Sequence, residues 1–173
     1  MELLDIYDAC RNRTGRVHRR GDKLAKGDYI LVVCVWVCDG KGRFLLTLRA
    51  PEKIGCPNTW ENSGGAAKAG ETSRQAIARE LFEETGIRAE EAEFEFLGSD
   101  RDHNAFYDFY CLKRQLPLSE VVLQPGETDD VMWASFPKVR WMIHAGKICR
   151  IIGSQFFRQE RQLRLRNITK IYR

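Results

Sequence analysis

The sequence predicts an α/β fold in which a mixed central sheet lies between helical layers. Three observations lead there. Residues 29–38 form a long β-branched apolar run (Ile30, Leu31, Val32, Val33, Val35, Val37) that reads as a central strand. Strand patterns come first, one helix pattern sits in the middle, and two more close the chain. The 173 residues, 43% hydrophobic and 30% charged, suit one folded domain that buries a core without disulfides or a structural metal.

Taken in order, residues 2–7 and 17–20 read as short strands about the turn Asn12-Arg13-Thr14-Gly15. After the central strand, Asp39-Gly40-Lys41-Gly42 is a turn, and residues 43–49 complete a hairpin. Residues 51–63 read as a loop carrying Trp60. A helix opens at Glu71-Thr72 and runs to about Thr85, with Thr72 as N-cap and Gly86 as C-cap. Residues 94–97 and 105–112 form an antiparallel pair, and 131–134 a short strand. Residues 138–147 and 154–165 read as the closing helices.

The chemistry is concentrated between Gly65 and Ile87. Glu80, Glu83 and Glu84 stand at i, i+3 and i+4, so they share one helix face, while Ile77, Ala78 and Leu81 supply the apolar face. Three carboxylates on one face repel, by a few tenths of a kcal/mol per pair on an isolated helix. The arrangement makes sense where a cation sits on it, and hard oxygen ligands favour Mg²⁺ or Mn²⁺ over zinc. Arg79 can pair with Glu83 at i+4, and Gly64-Gly65 lets the backbone bend so that a carbonyl joins the ligands. A solvated acidic face would leave Gly65, Glu71, Arg79 and Gly86 at their fixed offsets unexplained.

Residues 65–87 resemble the Nudix box at every defining position. The resemblance implies a single Nudix domain over residues 1–173, built as an α/β/α sandwich with a mixed central sheet. It also implies metal-assisted hydrolysis of a diphosphate linkage, which makes the chain an enzyme acting on phosphorus-containing anhydrides. On that basis Gly65 (through its carbonyl), Glu80, Glu83 and Glu84 are the metal ligands, and Glu83, Glu84, Arg79 and Glu127 the catalytic set. Arg79 and Glu71 orient the others. Glu127, in a loop ahead of the last strand, is the candidate base or extra ligand, and Glu120 is its competitor.

Outside the box the chain is similar to the Nudix subgroup related to type I isopentenyl-diphosphate isomerase. The carrying pieces are Gly15-Arg16-Val17-His18-Arg19, Leu45-Leu46-Thr47-Leu48-Arg49 with Lys53, and Trp60-Glu61-Asn62-Ser63. Arg49 and Lys53 match basic residues that hold a diphosphate there, so they are the substrate-binding candidates. The isomerases carry a cysteine after the Asn-Ser segment and a histidine two residues later, and they degrade the box. Here Asn62-Ser63 leads to Gly64-Gly65-Ala66-Ala67, and the box is intact. Hydrolysis is therefore the expected activity, with isomerisation as the alternative and a non-catalytic ligand sensor as a third reading. The partner is a small-molecule diphosphate: a nucleoside diphosphate derivative, a dinucleotide, a nucleotide sugar or a prenyl diphosphate. Trp60, Phe106, Tyr107 and Tyr110 are candidates to stack a base, and His103 to enter the pocket. A homodimer is among the assemblies the resemblance implies.

Composition narrows the rest. No apolar run approaches the roughly 18 residues of a membrane-spanning helix, and the first residues lack a secretory signal, so a cytoplasmic protein is expected. Six scattered cysteines without a C-x-x-C pair read as buried, reduced thiols, with Cys34 and Cys38 on one sheet face. Six of the basic residues fall between Arg158 and Arg173, against the single acid Glu160. No nucleic-acid-binding motif accompanies them, so that stretch reads as a solvated or packed helix face and no nucleic-acid partner is expected.

Overall fold

In the computed structural model, which describes residues 2–167, the chain begins with a two-stranded antiparallel sheet, β1 (Leu3–Tyr7) and β2 (Arg13–Arg19). Asp8 sets the turn between them. Its carboxylate accepts the N–H groups of Cys10 (2.9 Å) and Asn12 (2.8 Å), and Arg11 takes the left-handed conformation, φ 67°. The turn expected at 12–15 therefore lies some four residues earlier, and Thr14 and Gly15 fall inside β2. Leu4, Ile6 and Tyr7 are buried, and Tyr7 exchanges backbone hydrogen bonds with Tyr29 (2.8 and 3.0 Å), which fixes the hairpin to the main body.

The main sheet contains β3 (Ile30–Cys38), β4 (Arg43–Arg49), β5 (Trp60–Glu61), β6 (Ser63–Ala66), β7 (Glu95–Asp102), β8 (Ala105–Lys113) and β9 (Thr128–Ser135). Its order is β5-β4-β3-β8-β7, with β6 paired to β3 and β9 to β4. β3 and β8 run parallel from Ile30↔Ala105 to Cys38↔Lys113, and the other pairs are antiparallel, so the sheet is mixed as expected. Because β3 is central, both its faces are buried, and the run is apolar throughout rather than alternating. Val33, Val35 and Val37 pack with Ala76, Ile77 and Leu81 of α1 (Ser73–Thr85). Cys34, Trp36 and Cys38 face the other way, onto Met142 of α2 (Phe136–His144) and Phe156 and Leu163 of α3 (Arg150–Asn167). The layers are α/β/α.

One irregularity positions the site. β4 meets β3 only at Cys38↔Phe44 and then diverges to pair with β9. The wedge this opens is filled by β6, whose residues Ser63–Ala66 pair with Val32–Val35. The fit demands glycine, since a Cβ on Gly64 would lie 2.3 Å from the Val33 carbonyl oxygen. The segment expected as a loop thus holds β5 and the start of β6.

Helix α1 starts and stops on the residues the sequence marked. Thr72 caps the Gln75 N–H while the Gln75 side chain caps Thr72, and left-handed Gly86 (φ 70°) donates to the Phe82 carbonyl. The last two helices begin earlier than expected, α2 because Ser135 caps it. The basic face of α3 is partly packed on the body, where Arg158 pairs with Asp100 and Arg166 with Glu95 (2.7 Å), while Arg164 pairs within the helix with Glu160 (2.8 Å). Lys170 and Arg173 lie outside the described residues. Among those residues no helix is long and apolar enough to cross a membrane. The cysteine expectation needs correction. Cys34, Cys38 and Cys111 are buried thiols, but Cys10 is exposed and Cys56 is disulfide-bonded to Cys149, Cα–Cα 5.7 Å. The two meet because the Trp60 N–H bonds the Lys147 carbonyl (2.8 Å), drawing the loop after β4 onto the start of α3.

Removing the α1 cap should cost a measurable part of the stability. Thr72→Ala is expected to destabilise by about 1 kcal/mol, seen as a fall of roughly 2–4 °C in Tm by circular dichroism. An unchanged Tm would mean that the capping box contributes nothing to the fold.

Candidate active site

Arg79 is the hub of the carboxylate face. Its guanidinium donates to both Glu71 oxygens (2.7 and 2.9 Å), to Glu80 (2.9 Å), to Glu83 (3.0 Å) and to the Ala66 carbonyl (3.1 Å). Glu71 is itself fixed by the Lys68 N–H (2.8 Å). The i+4 pair with Glu83 was legible in the sequence. The bonds to Glu71 and Ala66, which tie the helix to β6, come from the fold. Burial works against the Arg79 charge, but the carboxylates around it prevail and its pKa is raised.

Glu80, Glu83 and Glu84 border one small cavity of about 120 Å³ that Arg49, Lys53 and Glu127 also border. The candidates from the helix, the end of β4, the following loop and the approach to β9 are therefore together. Gly65 lines an adjoining cavity rather than this one, but it packs directly on the carboxylate face, because a Cβ there would stand 2.3 Å from a Glu80 carboxylate oxygen. Glu120 is elsewhere, on an exposed 3₁₀ turn (Leu118–Glu120) beside Gly86. Lys53 bonds Glu127, and Arg49 donates to Glu61 (2.8 Å) and to the Gly55 carbonyl (2.8 Å).

Sequence reasoning missed four members. Glu2 and Arg20, paired at 2.6 Å, reach the cavity from the N-terminal hairpin, and Gln124 closes another side. Glu61, 8% exposed, backs Arg49 from β5. Among the other candidates, Tyr107 borders an adjoining cavity, whereas Phe106 and Tyr110 are core residues and His103 is exposed. Trp60 is half-buried against the cluster under α2 and α3.

Burial sets the electrostatics. Glu84 is pushed well up by burial, with the charges of Glu61 and Glu80 adding and hydrogen bonds from Ser63 and Gly64 opposing. Burial likewise raises Glu80, against the pull of Arg79. Among the described residues no three His, Cys, Asp or Glu side chains form a ready cation cage, since Glu83 is turned to Arg79 and Lys68. The donors still suit a hard cation. They are oxygens, and Glu84 Oε2 is buried without a protein partner.

The sequence pattern of the NUDIX domain matches residues 28–149. A Nudix hydrolase of Listeria innocua is 32% identical, over 99% of both chains. An isopentenyl-diphosphate Delta-isomerase of an Enterobacter species is 30% identical over 57% of each chain. A crystal structure from Deinococcus radiodurans superposes with a TM-score of 0.78 at 22% identity, covering 91% of this chain and 99% of that one.

Glu61 makes a pH-dependent prediction. Burial lifts its carboxyl from the ordinary 4.5 to about 7, with Arg49 opposing. The folded state thus holds this proton more tightly than the unfolded state. Its contribution is fully present below the unfolded pKa and is lost as pH rises toward 7. The stability of the wild type relative to Glu61→Gln, from denaturant melts in EDTA, should fall between pH 4.5 and 7.5 by about 2–3 kcal/mol. A difference that stays constant with pH would contradict this reading of Glu61.

Proposed function

The chain belongs to the NUDIX domain family and is a pyrophosphohydrolase, and we propose that it cleaves a nucleoside diphosphate derivative, or a similarly small diphosphate compound, with Mg²⁺ or Mn²⁺. The observation that carries the reading is the interleaving of charge around one small cavity. Carboxylates of Glu80, Glu83, Glu84 and Glu127 face the cations of Arg49 and Lys53. The cations suit the non-bridging oxygens of a diphosphate, and the carboxylates suit the divalent ion that accompanies it. We take residues 1–173 as one such domain.

Each residue then has a task. Glu80, Glu83, Glu84 and the Gly65 carbonyl would hold the cation, which would supply charge neutralisation for the diphosphate and a more acidic water. Arg49 is pre-aimed, because Glu61 and the Gly55 carbonyl fix its guanidinium before substrate arrives. Lys53 exchanges its Glu127 partner for a phosphate oxygen, and this frees the Glu127 carboxylate to accept the proton of the attacking water. Arg79 acts through its neighbours, holding Glu80 and Glu83 in place.

Isomerisation of a prenyl diphosphate is the second reading, favoured by the partial similarity to the isomerase. It requires a proton donor over the alkene and a base opposite. Cys56 borders the adjoining cavity but is tied to Cys149 and has no thiol proton to donate. Tyr107 remains, but it borders the adjoining cavity and not the one that the box carboxylates border.

One preparation tests both readings. Hydrolysis of nucleoside diphosphate derivatives should require Mg²⁺ or Mn²⁺, stop in EDTA, and fall about 10³-fold in kcat in Glu83→Gln and Glu84→Gln that stay folded by circular dichroism. In D₂O, isopentenyl diphosphate should take up no deuterium. Full turnover in EDTA, or wild-type rates in both variants, would overturn the metal-dependent reading. Metal-dependent deuterium uptake that Glu84→Gln abolishes would put the isomerase in its place.

A further inference from the structure

The catalytic cavity does not end at the carboxylates. Gly64 and Arg49 also border a second cavity of about 240 Å³, walled by Val32 and Tyr107 from the sheet and by Ile151 and Ile152 at the start of α3. Gln155, one turn further along α3, lies at its far side and borders a third cavity of about 550 Å³ between α3 and β7–β8. The second alone is smaller than an ordinary ligand site, roughly 300–1,000 Å³, and the two together fall within that range.

The lining of the third cavity is unlike a core. Gln155, Gln159 and Gln162 stand at i, i+4 and i+7, so α3 turns a stripe of amides toward the sheet where apolar side chains belong. Gln155 and Gln159 are each only 6% exposed. Gln162 donates to the Leu97 carbonyl (2.9 Å), but Gln159 Oε1 is buried and has no protein partner. Leaving such an acceptor unmet is costly, and a stripe of amides is a poor choice for packing alone. Phe109 supplies an aromatic wall, with its ring parallel to that of Tyr107 in the neighbouring cavity (7°, centroids 6.3 Å apart). The charged side chains here, Asp100 and Arg158, pair with each other, so the cavity favours an uncharged occupant.

We propose that the three cavities form one substrate trough, and that the farthest binds an uncharged, hydrogen-bonding ring carried by the diphosphate substrate, of which an amino-bearing nucleobase is the test case. The diphosphate lies at Arg49 and Lys53, the linking sugar passes Tyr107 and Ile152, and the exocyclic amino group of the base donates an N–H to Gln159 Oε1. This rests on the hydrolase reading for the catalytic end. It also narrows the substrate, because a five-carbon prenyl chain would fill only the nearer cavity.

Binding without turnover tests it. The probes are the α,β-methylene analogues of adenosine and cytidine diphosphate, with methylenediphosphonate as the bare headgroup, titrated calorimetrically in Mg²⁺. Gln155→Met and Gln159→Met keep the side-chain volume and the helix, and wild-type-like melts establish that they are folded. Each should weaken the nucleoside analogues about fivefold or more relative to methylenediphosphonate, the worth of one buried hydrogen bond. Two results would overturn the trough: variants that shift nucleoside analogues and headgroup equally, or a wild type that binds the headgroup as tightly as the nucleoside analogues. Failure to hydrolyse any nucleoside diphosphate derivative while the analogues bind at Gln159 would strike the proposed substrate and leave the trough standing.

Discussion

Arg79 resolves the main conflict in the structure. The fold places Glu80, Glu83 and Glu84 on one helix face and buries two of them, an arrangement that repulsion and desolvation both oppose. A single guanidinium answers Glu71, Glu80 and Glu83 together and still reaches the Ala66 carbonyl. Five donors in a rigid fork make this feasible, and a lysine in its place would offer a point charge to one or two of the same groups. The bond to Ala66 matters as much as the ion pairs, because it ties helix α1 to strand β6 and so sets where Glu80 stands against Gly65.

That attachment works because the sheet is forked. β4 leaves β3 after one paired position, and β6 enters the gap with glycines where any side chain would strike backbone or carboxylate. The divergence also carries Arg49 to the cavity's rim and sends Lys53 across it to Glu127. Binding groups and carboxylates therefore arrive from opposite sides of one wedge. A rigid strand end holds Arg49, and a loop holds Lys53, the cation that must change partners.

Local periodicity made α1 and its carboxylates legible in the sequence, and Thr72 and Gly86 marked its ends because caps depend on near neighbours. The apolar run 30–38 announced a central strand for the same reason. What stayed hidden depends on distant pairing. Glu2 and Arg20 look like surface charges until the hairpin is laid against the box. Glu61 is one glutamate in a loop until β5 pairs with β4 and buries it behind Arg49. The Cys56–Cys149 bond spans 93 residues without a spacing signal. The glutamine stripe of α3 was present in the sequence, but its meaning depends on which face meets the sheet.

The account makes the shape of Arg79, beyond its charge, responsible for holding the carboxylates in place for a cation. Calorimetric titration of Mn²⁺ into the wild type and Arg79→Lys, both shown to be folded, tests this directly. The lysine keeps the charge and loses the fork, and affinity should fall about 10- to 100-fold, as for other residues that orient metal ligands. Equal Mn²⁺ affinity in the two proteins would contradict the account.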